Sequence, residues 1–109
     1  MKDFSKGESL EELINTSKIC ILQFGDESCG PCFAIRERID KWLETHPYAT
    51  GRYVAIREHM EASAQFGILS VPTVAAYVCG KEVARESGYF SLDQILERLD
   101  RLGDMIQNE

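Results

Sequence analysis

The stretch Ile19-Cys20-Ile21-Leu22-Gln23-Phe24 constrains this chain more than any other. It is a nearly continuous apolar run of β-favouring residues, without the strict alternation that leaves one face of a strand to water. The pattern predicts a strand covered on both faces, central in a parallel or mixed sheet with helices on either side.

The residues after this run set the topology. Beyond a short polar loop, Pro31 suits the first turn of a helix, where a missing amide proton costs nothing. Ile35, Ile39, Trp42 and Leu43 then recur at helical spacing, predicting a helix that ends near Thr45, before His46-Pro47. Arg52-Tyr53-Val54-Ala55-Ile56 reads as the next strand. It is parallel to the central one, because a helix of more than ten residues separates the two, as a crossover requires.

On the amino-terminal side, Ser9-Leu10-Glu11-Glu12 fits a capping box and predicts a helix from about Leu10 to Thr16, preceded by a short strand near Lys2–Phe4. Further on, a short helix is expected around Glu61–Phe66. A strand at Val71–Val78 opens after its proline, and a turn at Cys79-Gly80-Lys81 returns the chain antiparallel over Glu82–Glu86. Ser91-Leu92-Asp93-Gln94 caps a last helix whose Leu92, Ile95, Leu96, Leu99 and Leu102 form one apolar stripe. The order β-α-β-α-β-α-β-β-α defines an α/β fold of three layers with a central mixed sheet.

Composition excludes several function classes. A chain of 109 residues is expected to form one domain over residues 1–109, and 44% hydrophobic with 28% charged residues is neither disordered nor fibrous. A formal net charge of −6 disfavours nucleic acid and anionic lipid as partners. Met1 to Glu8 lacks the apolar core of a signal peptide, and no run approaches the ~20 residues that span a bilayer. A soluble, cytoplasmic protein without a membrane partner is expected.

Of four cysteines, Cys20 and Cys79 stand alone, whereas Cys29-Gly30-Pro31-Cys32 forms a motif. A cytosolic chain keeps thiols reduced unless they are catalytic. A zinc site would need two further ligands at metal spacing, and His46, His59, Cys20 and Cys79 are scattered, so no metal is expected; nor is any cofactor implied. Redox chemistry is the remaining reading. Cys29 falls at a helix start, where free amides and the helix dipole favour a thiolate, which makes it the candidate nucleophile. Cys32 lies about one turn on, on the side continued by Ile35 and Ile39, and is expected to be the more buried, resolving cysteine. Pro31 fixes one backbone angle and Gly30 permits a tight approach, holding the sulfurs close. Asp26 and Glu27 oppose a thiolate about as strongly as the helix terminus favours it.

Phe24, Cys29-Gly30-Pro31-Cys32, Phe66-Gly67-Ile68, Val71-Pro72-Thr73 and Gly88 together resemble the thioredoxin family in order and spacing, over nearly the whole chain. The resemblance implies a thioredoxin fold, a cis peptide before Pro72 facing the cysteines, and reduction of protein disulfides with electrons from a thioredoxin reductase or similar donor. It also implies that extended substrate pairs with the backbone around Val71, next to Pro72 and Thr73. Three positions depart from the family's habit. Ser28 stands where a tryptophan is usual before the first cysteine, Phe33 where a lysine follows the second, and Gln23 where a buried aspartate takes up the resolving cysteine's proton. A glutamine amide can hydrogen-bond but cannot accept that proton, so slower resolution is expected.

The expected function is therefore a thiol–disulfide oxidoreductase of protein disulfides, acting as a monomer through Cys29 and Cys32. The alternative is a binding module of the same fold, with the cysteine pair as redox sensor. The Gly30-Pro31 dipeptide argues against a glutathione-linked relative. By helical phase Phe33 is a substrate contact. Cys20 is a small buried hydrophobe, Cys79 an exposed turn thiol, and His46 and His59 surface residues without an identifiable partner.

Overall fold

The computed structural model describes residues 1–107. Its elements are β1 (Lys2–Asp3), α1 (Leu10–Thr16), β2 (Ile19–Gly25), α2 (Gly30–Glu44), β3 (Ala49–Ala55), α3 (Met60–Gln65), β4 (Thr73–Val78), β5 (Lys81–Ser87) and α4 (Leu92–Gln107). This is the expected element order. The five strands form one sheet in the order β1-β3-β2-β4-β5, with β1, β3 and β2 mutually parallel, β4 antiparallel to β2, and β5 antiparallel to β4.

The apolar run becomes β2 at the middle of that sheet, and every one of its residues is buried. Its side chains alternate between two cores, as strand geometry requires. Ile19 and Ile21 pack with Val74, Ala76, Ile39 and Trp42 and with the α4 stripe Leu92, Ile95, Leu96 and Leu99. Cys20, Leu22 and Phe24 face the other way, toward Leu10 and Ile14 of α1, with Ala62 and Phe66 of the α3 region packed alongside. Two cores on opposite faces of one sheet make the three-layer thioredoxin fold.

The helix starts follow the caps read from sequence. Ser9 Oγ accepts from the Glu12 N–H at 3.2 Å, and Ser91 Oγ from the Gln94 N–H at 3.3 Å. The main boundary difference is β3, which begins at Ala49 rather than Arg52. Ala49, Thr50 and Gly51 pair in register with Ile19, Cys20 and Ile21, so pairing with the central strand overrides a weak local β signal. Gly51 suits this place because a Cβ there would stand 2.6 Å from Leu43 Cδ1 of α2.

Candidate active site

β2 ends at Gly25, and the loop Asp26–Ser28 carries the chain to Cys29, which is the N-cap of α2. Pro31 lies in the first turn, where no amide proton is needed. The two cysteines are disulfide-bonded, with Cα atoms 5.4 Å apart. Their surroundings differ sharply. Cys32 is only 2% exposed on the buried side of α2, while Cys29 sits half-exposed at the positive end of the helix dipole. Gly30 is exposed, and a Cβ there would meet nothing within 4 Å.

The loop before Cys29 is tied down electrostatically. Asp26 pairs with Arg57 at 3.1 Å and accepts from the Ser28 hydroxyl at 2.8 Å. The Ser28 hydrogen bond, then the Arg57 charge, hold the Asp26 carboxyl below its ordinary range. One of the two negative charges expected to oppose a thiolate at Cys29 is thus offset by a partner. Ser28 is exposed at the edge of the site, with its hydroxyl committed to Asp26.

A cleft of about 540 Å³ opens beside the disulfide, lined by both cysteines, Asp26, Phe33, Arg36 and Tyr53. Phe33 is 72% exposed, in line with its helical phase. Arg36 and Tyr53 are partners that sequence reasoning missed. The Arg36 guanidinium lies over the Tyr53 ring, 4.6 Å from its centroid. A Cβ on Gly25 would overlap the Tyr53 hydroxyl, so the bare glycine is what lets Tyr53 lie against the end of β2. No local spacing signals this contact, because Gly25 and Tyr53 lie on different strands. Beneath the cleft, Gln23 is fully buried, and its Nε2 donates to the Cys32 carbonyl oxygen at 2.7 Å.

The Val71–Pro72 peptide is cis. Pro72 and Thr73 are buried and Val71 half-buried. Thr73 Oγ1 donates to the Ser70 carbonyl at 2.7 Å and lies 2.7 Å from Ser87 Oγ, while the Gly88 N–H donates to the Pro72 carbonyl at 3.0 Å. These bonds fasten the Pro72 loop to the end of β5. A second groove, about 400 Å³, runs between Pro31 and Ala34 of α2 and Gly88 and Tyr89. The Cys29 cleft does not include Pro72; the two regions are joined through Pro31, Gly88 and the Gly88–Pro72 hydrogen bond. Leu69 and Tyr89, both fully exposed, stand on these loops. Their signal is a large apolar residue in a Gly- and Pro-flanked loop, which has no periodicity to register.

The remaining singled-out residues fall as follows. Cys20 is fully buried, and burial pushes its thiol up to about 12. Cys79 is exposed at the β4–β5 turn. The histidines are not lone surface residues. His46 stacks on Trp42 and reaches Asp100, and His59 is half-buried at the start of α3 with its ring edge against Phe4. Trp42 lies one helical turn before His46, a spacing open to reading, whereas Asp100 and Phe4 are distant in sequence from the histidines they meet.

A βαβ unit that delivers a disulfide-bonded C-x-x-C to a helix start, beside a cis-proline loop, defines a thiol–disulfide oxidoreductase. The thioredoxin family model matches residues 3–101. The chain belongs to the thioredoxin family. It is similar to the thioredoxin of Alicyclobacillus acidocaldarius, 27% identical over 92 residues that cover 84% of this chain and 88% of that protein. Among solved structures it is similar to oxidised Plasmodium falciparum thioredoxin, with a TM-score of 0.76 and 26% identity over 89% of this chain and 94% of that one. Fasciola hepatica thioredoxin aligns with a TM-score of 0.73 and 29% identity, covering 84% and 89% of the two chains. The protein is a protein-disulfide oxidoreductase whose redox-active pair is Cys29–Cys32.

Proposed function

We propose that the protein reduces protein disulfides with Cys29 as the attacking thiolate and Cys32 as the resolving thiol. The unequal exposure of the pair carries this reading, because only Cys29 is open to a substrate sulfur. Cys29 attacks a substrate disulfide, a mixed disulfide forms, and one substrate sulfur leaves as a thiolate and takes up a proton. Cys32 then loses its proton and attacks the Cys29 sulfur. The Cys29–Cys32 disulfide forms and the second substrate sulfur leaves. Two electrons from a thioredoxin reductase or similar donor restore the dithiol.

Substrate lies in extended form along the Val71-Pro72-Thr73 segment. Among the described residues, Val71 makes no backbone hydrogen bond, which leaves its main chain free for strand pairing. Gly30 and Pro31 keep the approach to Cys29 open, and Phe33 and Ser28 contact substrate at its margins. The protein works as a one-domain monomer in the cytoplasm, with neither nucleic acid nor membrane as partner. In the test, the protein accelerates reduction of insulin disulfides by dithiothreitol and Cys29→Ser abolishes the acceleration, while Cys32→Ser accumulates mixed disulfides with several proteins. Full activity in Cys29→Ser overturns the assignment. A single partner held even without both cysteines favours a binding module.

A further inference from the structure

Gln23 is fully buried on the face of β2 that underlies α2, and its two amide atoms fare differently. Nε2 has a partner in the Cys32 carbonyl at 2.7 Å. A carbonyl oxygen only accepts, so this bond fixes which amide atom is which and leaves Oε1 as the free acceptor. Oε1 has no hydrogen-bond partner among the described residues. Tyr53, paired in register with Gln23 on β3, does not supply one, because its hydroxyl lies at Gly25. In the disulfide form of the protein this acceptor is therefore orphaned, an arrangement that carries a free-energy penalty.

Reduction creates a donor on Cys32, the residue whose carbonyl Gln23 already holds. Glutathione supplies two electrons and two protons, the Cys29–Cys32 bond breaks, two glutathione molecules become joined as their disulfide, and Cys32 acquires an S–H. That thiol is 2% exposed in the oxidised form and likewise needs a partner. We infer that Gln23 is a positioning residue that sets the redox poise of the pair: Oε1 is orphaned beneath the disulfide and accepts from Cys32 Sγ–H in the dithiol. The amide thereby favours the reduced form. It does so without titrating, unlike a carboxylate at the same place.

The inference rests on the Cys29–Cys32 couple, and its test is separate from that of the proposed function. In glutathione buffers, Gln23→Leu lowers the equilibrium constant for reduction about tenfold, moving the midpoint about 30 mV more negative than wild type. An unchanged or less negative midpoint overturns it. Gln23→Met, closer in shape and also without an amide, replaces the leucine variant should that fail to fold. On the otherwise native chain, Cys29→Ser leaves Cys32 as the pair's only thiol, and its infrared S–H band falls at lower frequency than in Cys29→Ser with Gln23→Leu. Coincident bands overturn the inference. A wild-type pair that titrates in glutathione yet does not act on insulin overturns the proposed function alone.

Discussion

The ring of His46 stacks on the indole of Trp42, with centroids 3.7 Å apart and planes within 11°, and both rings reach the same Asp100 oxygen. His46 Nε2 lies 2.7 Å from Asp100 Oδ1 and Trp42 Nε1 donates to it at 3.0 Å. This joint pins the carboxyl end of α2 to α4. The opposite end of the 15-residue helix carries Cys29, about 22 Å away.

His46→Ala is expected to destabilise the protein by about 1–2 kcal/mol, from a lost aromatic stack and an Asp100 left with one partner fewer. At roughly 4–8 °C per kcal/mol for a domain of this size, thermal unfolding followed by circular dichroism shows the loss clearly. Insulin reduction at 25 °C stays at the wild-type rate. An unshifted melting temperature would show the stack to be ornamental.

Arg57 offsets the Asp26 carboxylate three residues before Cys29. Arg57→Ala leaves that charge to oppose the Cys29 thiolate and is expected to slow alkylation of the reduced protein by iodoacetamide at neutral pH. Arg57 itself is largely exposed, so water screens the pair and the slowing is roughly severalfold at most. It shrinks in high salt. A faster reaction in the variant would reverse the assignment of Asp26 as the opposing charge.

Cys20 gives the protein an alkaline limit. Burial raises its thiol from 9.0 to about 12 in the folded state, so the unfolded chain loses this proton at lower pH than the native one. Between those values the native state binds more protons, and stability falls as pH rises. The full contribution is present below about pH 9. Above it the slope from this one group reaches about 1.4 kcal/mol per pH unit. Tyr77, raised to about 12 chiefly by burial, adds to the same fall. In urea unfolding series from pH 8 to 11, Cys20→Ala is expected to be less stable at pH 8 but to lose stability less steeply. Parallel curves for the two proteins would contradict this.

Local pattern made much of this legible. The β2 run, the capping serines, Pro31 and the α4 stripe each encode structure through contacts within a few residues, and they specified the sheet, its helices and the place of the cysteine motif. The His46–Asp100 contact, the Tyr53–Gly25 contact and the early start of β3 arise from residues brought together only by tertiary packing, which leaves no spacing to read. The orphaned oxygen of Gln23 is of the same kind. The sequence places a polar residue in a buried strand, but only the geometry shows which of its atoms has a partner.

Gln23→Asp tests the chemistry of that position directly. An aspartate there is desolvated, which raises its carboxyl toward neutrality, where a general base works best. It can take the proton that Cys32 must lose when it attacks the mixed disulfide, a role closed to the native amide. Positioned proton acceptors contribute up to 10²–10⁴-fold in favourable cases, and the aspartate is one methylene shorter than the glutamine, so a gain of about tenfold in the resolving step is expected. Single-turnover release of a fluorescent thiol from preformed Cys29 mixed disulfide measures that step apart from the first attack. An unchanged release rate would mean that proton removal from Cys32 is not what limits resolution in this protein.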